Sequence, residues 1–210
     1  MSDILKKVFG WMFIGLLVTF VTGYVVSINP NMFYSMINSY LLLAIIEIVL
    51  VIILSARIAK MNPLTARIMF ILYSFVSGLT FSSIFVVYQM SSIMIVFLIT
   101  ALMFGMFSFV GYATKTDLTK IGTYLFIGLI AIIVSTIINI FIGNSMFEII
   151  ICSISILIFL GFTVYDIKKI KALESVIDED NLAIYGALQL YLDFINIFID
   201  LLRLFGNSRD

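Results

Sequence analysis

The sequence contains no histidine and a single cysteine, Cys152. The absence of histidine excludes histidine-ligated zinc sites and histidine-based pH sensing. One cysteine cannot form an internal disulfide. Any response to pH near neutrality would therefore have to come from carboxyl groups.

Charged residues are also scarce. They make up 11% of the 210 residues, whereas soluble domains carry about a quarter. Basic and acidic residues number 12 each, so no basic excess indicates a nucleic-acid partner. With 63% hydrophobic residues, the chain has the composition of an integral membrane protein, and the lipid bilayer is its first expected partner.

Apolar runs of about 20 residues, the length of a membrane-crossing helix, occupy nearly the whole chain. They predict an all-α integral membrane protein with seven transmembrane helices in a single transmembrane domain, residues 1–210. Asn29-Pro30-Asn31 predicts a turn after the first span. That span follows lysines, as in a signal sequence, but its apolar run is too long for one, so we expect it to be retained. The predicted spans are 8–28, 39–56, 68–88, 93–113, 121–142, 146–166 and 182–205.

Basic residues predict the orientation. Ten of the twelve lie before the first span or in every second connection after it: Lys6, Lys7, Arg57, Lys60, Arg67, Lys115, Lys120, Lys168, Lys169 and Lys171. The positive-inside rule then predicts a cytosolic N-terminus. Arg203 and Arg209 oppose a C-terminus on the far side, so the last helix is predicted either to cross fully or to re-enter.

The last span carries a polar stripe. Asp193 and Asp200 are seven residues apart, and other polar or small residues share the same helical face: Gly186, Gln189, Asn196, Arg203 and Asn207. Such a stripe cannot face lipid without a large cost. We therefore expect the C-terminal helix to be central and surrounded by the other six.

Glu47 is a lone acid in the second span. Two interpretations stay open: a structural carboxyl paired with a hydroxyl or an arginine, or a residue that lines an ion path. Arg57 lies ten residues later, about 15 Å along a helix, where spacing alone predicts an anchor at the cytosolic face. For Asp193 and Asp200 the structural alternative is a hydrogen-bonded network that holds the bundle together.

Small residues recur every four positions in the third span, at Ser74, Gly78 and Ser82. This spacing predicts a face on which another helix packs closely. Gly105, Ser108 and Gly111 predict a similar face in the fourth span.

The sequence resembles the bacterial members of the transmembrane Bax inhibitor motif family over all seven spans. The most specific matches lie in the C-terminal part, and further matches surround the second and third spans. The matching segments are Gly161-Phe162-Thr163-Val164-Tyr165-Asp166, Leu190-Tyr191-Leu192-Asp193-Phe194-Ile195-Asn196 and Leu201-Leu202-Arg203, then Glu47 to Arg57, Lys60-Met61-Asn62-Pro63-Leu64-Thr65-Ala66-Arg67 and Ser77-Gly78-Leu79-Thr80.

The resemblance implies a seven-helix fold with a central last helix and a pH-sensitive calcium leak in a bacterial plasma membrane. The family's pH-sensing aspartate pair matches Asp166 and Asp193, which are also candidate calcium ligands because calcium prefers oxygen. The family's pore-lining acid matches Glu47, and the basic residue that interacts with the aspartate pair matches Arg57. The stripe residues Asn196 and Asp200 are further candidates for the pore or gate.

Pairing of the two aspartates has a physical consequence. Two carboxyl groups in a low-dielectric interior cannot both ionise cheaply, so protonation would change their hydrogen bonds and shift the last helix. The predicted spans place Asp166 at the membrane edge and Asp193 two to three turns deeper. Pairing therefore requires a sixth helix that projects beyond the hydrocarbon, or a seventh that begins after Leu182.

Two other function classes are compatible with parts of the sequence. A pair of membrane-embedded aspartates is similar to the catalytic pair of intramembrane aspartyl proteases, but Leu-Tyr-Leu-Asp stands here in place of their Gly-x-Gly-Asp. We therefore expect that the protein is not an enzyme and binds no cofactor, and that calcium is the ion it transports. The alternative is a non-conducting interaction protein that binds and modulates a membrane protease or another membrane complex.

Overall fold

The computed structural model describes residues 2–209, which form eight α-helices. Seven of these are long and apolar enough to cross a membrane, which confirms the predicted number of spans; α2 is the short exception. A 3-10 turn, Ile58–Lys60, follows α3. The helices are α1 Asp3–Ser27, α2 Pro30–Asn38, α3 Tyr40–Arg57, α4 Pro63–Val87, α5 Met90–Ala113, α6 Thr119–Ile142, α7 Ser145–Leu173 and α8 Glu179–Phe205.

The chain turns at Ile28 and Asn29, as predicted, and the connection that follows is itself helical. Pro30 occupies the first helical position, and the Asn29 side chain accepts a hydrogen bond from the Met32 N–H at 3.4 Å. Proline suits this position because its missing N–H would have no partner within the helix. Asn-Pro-Asn therefore begins the short helix α2.

The sixth span was predicted to end at Asp166, and this prediction is wrong. Helix α7 continues through the lysines to Leu173, about 10 Å further at helical rise. Helix α8 begins at Glu179, where the Asp178 carboxylate accepts from the backbone N–H groups of Asp180 and Asn181. Because α7 continues past Asp166, this residue lies within the helix, and one of the two conditions for its pairing with Asp193 is met.

Helix α6 begins, like α8, beside an aspartate that accepts hydrogen bonds from the first turn, and this aspartate lies outside the predicted spans. The Asp117 carboxylate accepts hydrogen bonds from the Thr119 N–H at 2.9 Å and from the Thr119 hydroxyl at 2.7 Å. These bonds stabilise the ionised form and lower the pKa of Asp117. Asp117 therefore helps to fix the first turn of α6.

The described chain divides into two compact units. The first comprises the described parts of 1–90, 170–191 and 208–210, and the second comprises 91–169 and 192–207. Helices α7 and α8 each contribute one part to the first unit and one to the second.

In the first unit, α1 and α3 pack on α4. The contact with α1 is close at Gly78, where a Cβ atom would lie 2.6 Å from Thr22 Cβ and 2.8 Å from the Thr19 carbonyl oxygen. Ser74, Gly78 and Ser82 are all buried. The predicted small-residue face of the third span is therefore confirmed.

In the second unit, α5 packs on α7 and α8. A Cβ atom at Gly111 would lie 2.7 Å from the Val164 carbonyl oxygen, whereas one at Gly105 would meet nothing within 4 Å. The Phe194 ring contacts Phe97 and Phe104, with ring centres 5.2 and 5.6 Å apart. The predicted small-residue face of α5 is thus present at Gly111 and absent at Gly105.

Helix α8 is the most buried of the apolar helices. In its most apolar stretch 67% of the residues are buried, against 0% in α6. Its first turn pairs with the starts of α1 and α4, through Lys7–Glu179 at 2.9 Å and Arg67–Asp180 at 2.8 Å. After α8 ends, the Arg209 N–H donates to the Val87 carbonyl at the end of α4. These contacts favour a last helix that crosses fully, and its central position stays a prediction.

Candidate functional site

The two acids of the α8 stripe are buried. Asp193 is 4% exposed and Asp200 8%, while Gln189 and Asn196 are half-buried and Arg203 is exposed. The prediction that these carboxyl groups do not face lipid is therefore confirmed.

Helices α7 and α8 bring Asp166 and Asp193 together in the second unit. Asp166 is 5% exposed, and its carboxyl group lies within electrostatic range of Asp193. The hydroxyl of Thr163, one turn before Asp166 on α7, lies beside the Asp193 carboxyl group. In the described chain, Asp193 Oδ2 is buried without a hydrogen-bond partner.

This arrangement favours a proton or a cation. The Thr163 hydroxyl has one proton, which it donates to the Phe159 carbonyl 2.9 Å away. An ionised carboxylate with an unpaired buried oxygen is costly, and a second carboxylate nearby increases that cost.

A positive charge lies near one of the two acids. The Lys169 ammonium interacts electrostatically with Asp166 and sits 5.8 Å from the centre of the Tyr165 ring. Within residues 2–209, no three or more histidine, cysteine or acidic side chains are grouped so as to hold a metal ion. A calcium ion at the pair would therefore take two side-chain carboxyls at most, and its other ligands would have to be backbone oxygens or water.

Asp200 forms a second acidic position about two turns beyond Asp193. Its neighbours on α7 are the Ser155 hydroxyl and the Cys152 thiol, and Arg203 Nη1 lies 4.0 Å from Asp200 Oδ1. The Asn196 amide is turned back onto its own helix and donates to the Leu192 carbonyl at 2.7 Å. A cavity of about 430 Å³ lies beside Cys152 and Arg203. Its lining consists of residues of α6 and α7, Cys152 among them, and of Arg203 on α8.

Glu47 lies in the first unit and binds hydroxyl groups of α4. The Ser77 hydroxyl is hydrogen-bonded to Glu47 Oε1, and the Thr80 hydroxyl lies 3.2 Å from Oε2. This is the structural pairing with hydroxyls that the sequence left open. A pore-lining role for Glu47 stays a prediction, as does the interaction of Arg57, exposed at the end of α3, with the aspartate pair.

The structure adds residues to which the sequence assigned no role. Tyr191 is fully buried, and its phenol oxygen lies 2.7 Å from the Thr19 hydroxyl. Thr19 in turn donates to the Ser74 carbonyl at 2.9 Å. The Ser77 hydroxyl interacts with the phenols of both Tyr191 and Tyr73. The sequence did contain one signal for these residues. Ser77 and Tyr191 lie in segments that resemble the family, Ser77-Gly78-Leu79-Thr80 and Leu190 to Asn196.

A family model described as "Inhibitor of apoptosis-promoting Bax1" matches residues 1–210. The chain belongs to the Bax inhibitor-1 family. The Bax inhibitor-1 family match covers the whole sequence, including α2 and both ends, and agrees with the seven apolar helices. The protein is accordingly an integral membrane protein.

Individual bacterial proteins are similar over nearly their whole length. Inner membrane protein YbhL of Escherichia coli K12 is 42% identical over 214 residues, which cover 98% of this chain and 92% of YbhL. An uncharacterised protein of Borreliella burgdorferi is 39% identical over 217 residues, which cover 100% of this chain and 94% of that protein. An uncharacterised protein of Deinococcus radiodurans is 32% identical over 210 residues, which cover 98% of this chain and 90% of that protein. The family assignment thus holds across distant bacteria.

Proposed function

We propose that this Bax inhibitor-1 family protein is a pH-sensitive calcium leak channel, gated by protonation of Asp166 and Asp193. The observation that carries this proposal is the burial of two neighbouring carboxyl groups on α7 and α8, one of which has an oxygen without a hydrogen bond. The leak activity itself comes from the resemblance to the family.

The gate has two protonation states. When a proton is bound, the pair carries at most one charge, and Asp193 can donate to Thr163. When both groups are ionised, they repel each other, and the buried Asp193 Oδ2 has no hydrogen-bond donor. Ionisation therefore favours separation of α7 from this part of α8, or entry of a cation between the carboxylates.

The remaining predicted residues take secondary roles in the proposal. They line the pore or take part in the gate, and they are Glu47, Arg57, Asn196 and Asp200. Similarity to an inner membrane protein, YbhL, supports location in the bacterial inner membrane. The distribution of basic residues supports a cytosolic N-terminus.

Calcium flux into liposomes that contain the purified protein tests the proposal. We expect flux that depends on pH, and we expect Asp193→Asn to remove most of that dependence because asparagine cannot titrate. Asp117→Asn is the matched control, since Asp117 is an exposed acid outside the spans and the asparagine side-chain oxygen can accept the same hydrogen bonds from Thr119.

Three outcomes would contradict parts of the proposal. Unchanged pH dependence in Asp193→Asn would remove Asp193 from the gate. An equal loss in Asp117→Asn would show a nonspecific effect of the substitution. No flux from the wild-type protein, together with copurification of a stable membrane partner, would replace the channel with an interaction protein.

A further inference from the structure

A polar cavity of about 430 Å³ lies within the second unit, where α6 ends and α7 begins. Its α6 side runs from Thr136 to Gly143, and its α7 side runs from Ser145 to Cys152. Each side covers about two helical turns, or about 10 Å. The cavity therefore extends from the turn between the two helices a short way into the membrane-crossing segments. This position is the level of the lipid headgroups and of the adjoining edge of the hydrocarbon.

Side chains of opposite charge line this cavity. They are Glu148 on α7 and Arg203 on α8. Glu148 is exposed, and none of the ion pairs found within residues 2–209 includes it. Arg203 Nη1 lies 4.0 Å from Asp200 Oδ1, which is too long for a hydrogen bond. Because the Arg203 side chain is 45% exposed and a guanidinium has several N–H donors, both charges are available to a ligand.

The α6 side adds a neutral donor at a fixed position. Asn139 lines the cavity, and its Oδ1 accepts a hydrogen bond from the Asn144 N–H at 3.2 Å. Its amide NH₂ group therefore stays available as a donor. The turn is held by Gly143, which has a φ of 66° and donates its N–H to the Asn139 carbonyl at 2.7 Å. The shape of this wall is thus set before a ligand binds.

The charge pattern selects the class of ligand. A metal cation would gain the Glu148 carboxylate but would be repelled by Arg203, and an inorganic anion would be repelled by Glu148. A neutral molecule would leave both charges unpaired. A ligand that carries a cationic and an anionic group pairs with both side chains. The volume of the cavity falls in the range of about 300–1,000 Å³ that is usual for sites of small ligands.

The position of the cavity indicates which ligand of this class it meets. Arginine and amide donors suit phosphate, and a carboxylate suits a primary ammonium group, which donates hydrogen bonds through its N–H groups. The phosphoethanolamine group carries both on one short chain, and phospholipids bring it to the membrane edge. Ile140 and Ile151 also line the cavity, and their apolar side chains suit the hydrocarbon part of a lipid.

We propose that this cavity binds the phosphoethanolamine headgroup of a membrane phospholipid, with the ammonium group on Glu148 and the phosphate on Arg203 and the Asn139 amide. A ligand without net charge then pairs with two charges that have no closer partner. The bound lipid links the neighbouring ends of α6, α7 and α8. This proposal is independent of whether the protein conducts calcium.

Native mass spectrometry of the full-length protein in detergent, with lipids that share the same acyl chains, measures the preference. Phosphatidylethanolamine should bind about tenfold more tightly than phosphatidylcholine, because the quaternary ammonium of choline has no N–H group to donate to Glu148. It should also bind more tightly than phosphatidylglycerol, which has no cationic group. Equal binding of the three lipids would overturn the proposal, and this comparison needs no variant to fold.

Substitutions separate the two halves of the site. Glu148→Gln should weaken phosphatidylethanolamine binding about tenfold and strengthen phosphatidylglycerol binding, because it removes a charge that attracts one headgroup and repels the other. A purely structural role of Glu148 would not give opposite signs for the two lipids. Arg203→Gln should weaken the binding of all three lipids, since each has a phosphate, and Arg203→Lys should restore part of it.

Glu174→Gln and Arg209→Gln are the matched controls, because both residues are exposed and lie outside the cavity. Both variants should bind the three lipids as the wild type does. If Glu148→Gln and Arg203→Gln also do so, the two side chains do not hold a headgroup and the proposal fails.

A soluble headgroup distinguishes a lipid from a free ligand. Glycerophosphoethanolamine, at the same concentration as the lipid, should not displace phosphatidylethanolamine, because it lacks the acyl chains that the membrane edge and the apolar lining favour. Its displacement of the lipid at that concentration would overturn the assignment of a membrane phospholipid.

Discussion

The close contact of α1 with α4 can be tested with a pair of glycine substitutions. At Gly78, an added methyl group would lie 2.6 Å from Thr22 Cβ and 2.8 Å from the Thr19 carbonyl oxygen. Neither atom can rotate away, so the two helices must separate. At Gly105, the same methyl group would meet nothing within 4 Å. Gly78→Ala and Gly105→Ala therefore make the same chemical change in two different environments.

The expected magnitudes follow from this geometry. Alanine is better than glycine in a helix by about 1 kcal/mol, and this gain applies to both variants. Overpacking costs about 1–3 kcal/mol, and the two short contacts at Gly78 place it in the upper half of that range. We expect Gly78→Ala to be less stable than the wild type by about 1–2 kcal/mol, and Gly105→Ala to be equal or up to about 1 kcal/mol more stable.

Equilibrium unfolding of both variants in the same detergent measures the difference. Because each variant adds one methyl group, their difference of about 1–3 kcal/mol reports the helix contact and not the residue type. If Gly78→Ala proves as stable as Gly105→Ala, α1 and α4 are not packed as described. The position of Thr19 beside Tyr191 would then also be wrong.

Three further predictions concern the second unit and the orientation. Gly111→Ala should destabilise the protein in the same unfolding assay, because its Cβ would lie 2.7 Å from the Val164 carbonyl oxygen; stability at or above that of Gly105→Ala would contradict this contact. Asp117→Ala should lower thermal stability near neutral pH, because the lowered pKa of Asp117 means that its ionised form stabilises the fold. This difference from the wild type should shrink as the pH falls below about 4, and a difference independent of pH would show that the ionised carboxylate does not stabilise the fold. In intact bacterial cells, a membrane-impermeant maleimide should label Asn144→Cys but not Thr116→Cys, and the reverse pattern would place the N-terminus outside.

The membrane-spanning helices were predictable because apolar runs of that length have few other stable structures. Their ends were less predictable. The lysines after Asp166 indicated the membrane edge, but lysine is a good helix former, so α7 continues to Leu173. Asn29-Pro30-Asn31 predicts a turn, which is present, but that pattern does not show that Pro30 also begins the short helix α2.

The candidate site was predictable only where it contains charge. Asp193 and Asp200 stood out because carboxyl groups are rare in apolar segments. Asp166 was identified through the resemblance to the family, whose aspartate pair matches Asp166 and Asp193. Tyr191, Ser77 and Thr19 carry no such signal, since hydroxyl residues are common in membrane helices and Tyr191 fits an apolar run. Their link to Glu47 depends on the packing of α1, α3, α4 and α8, which neither periodicity nor hydropathy determines.

The central claim is that Asp166 and Asp193 act as one titrating unit that controls calcium permeability. Calcium flux as a function of pH, measured in liposomes for Asp166→Asn, Asp193→Asn and the double variant, tests it most directly. We predict that each single substitution removes most of the pH dependence and that the double variant behaves like either single one, because residues that act as a unit are not additive. Independent effects that multiply in the double variant, or an unchanged pH dependence in all three, would contradict the account.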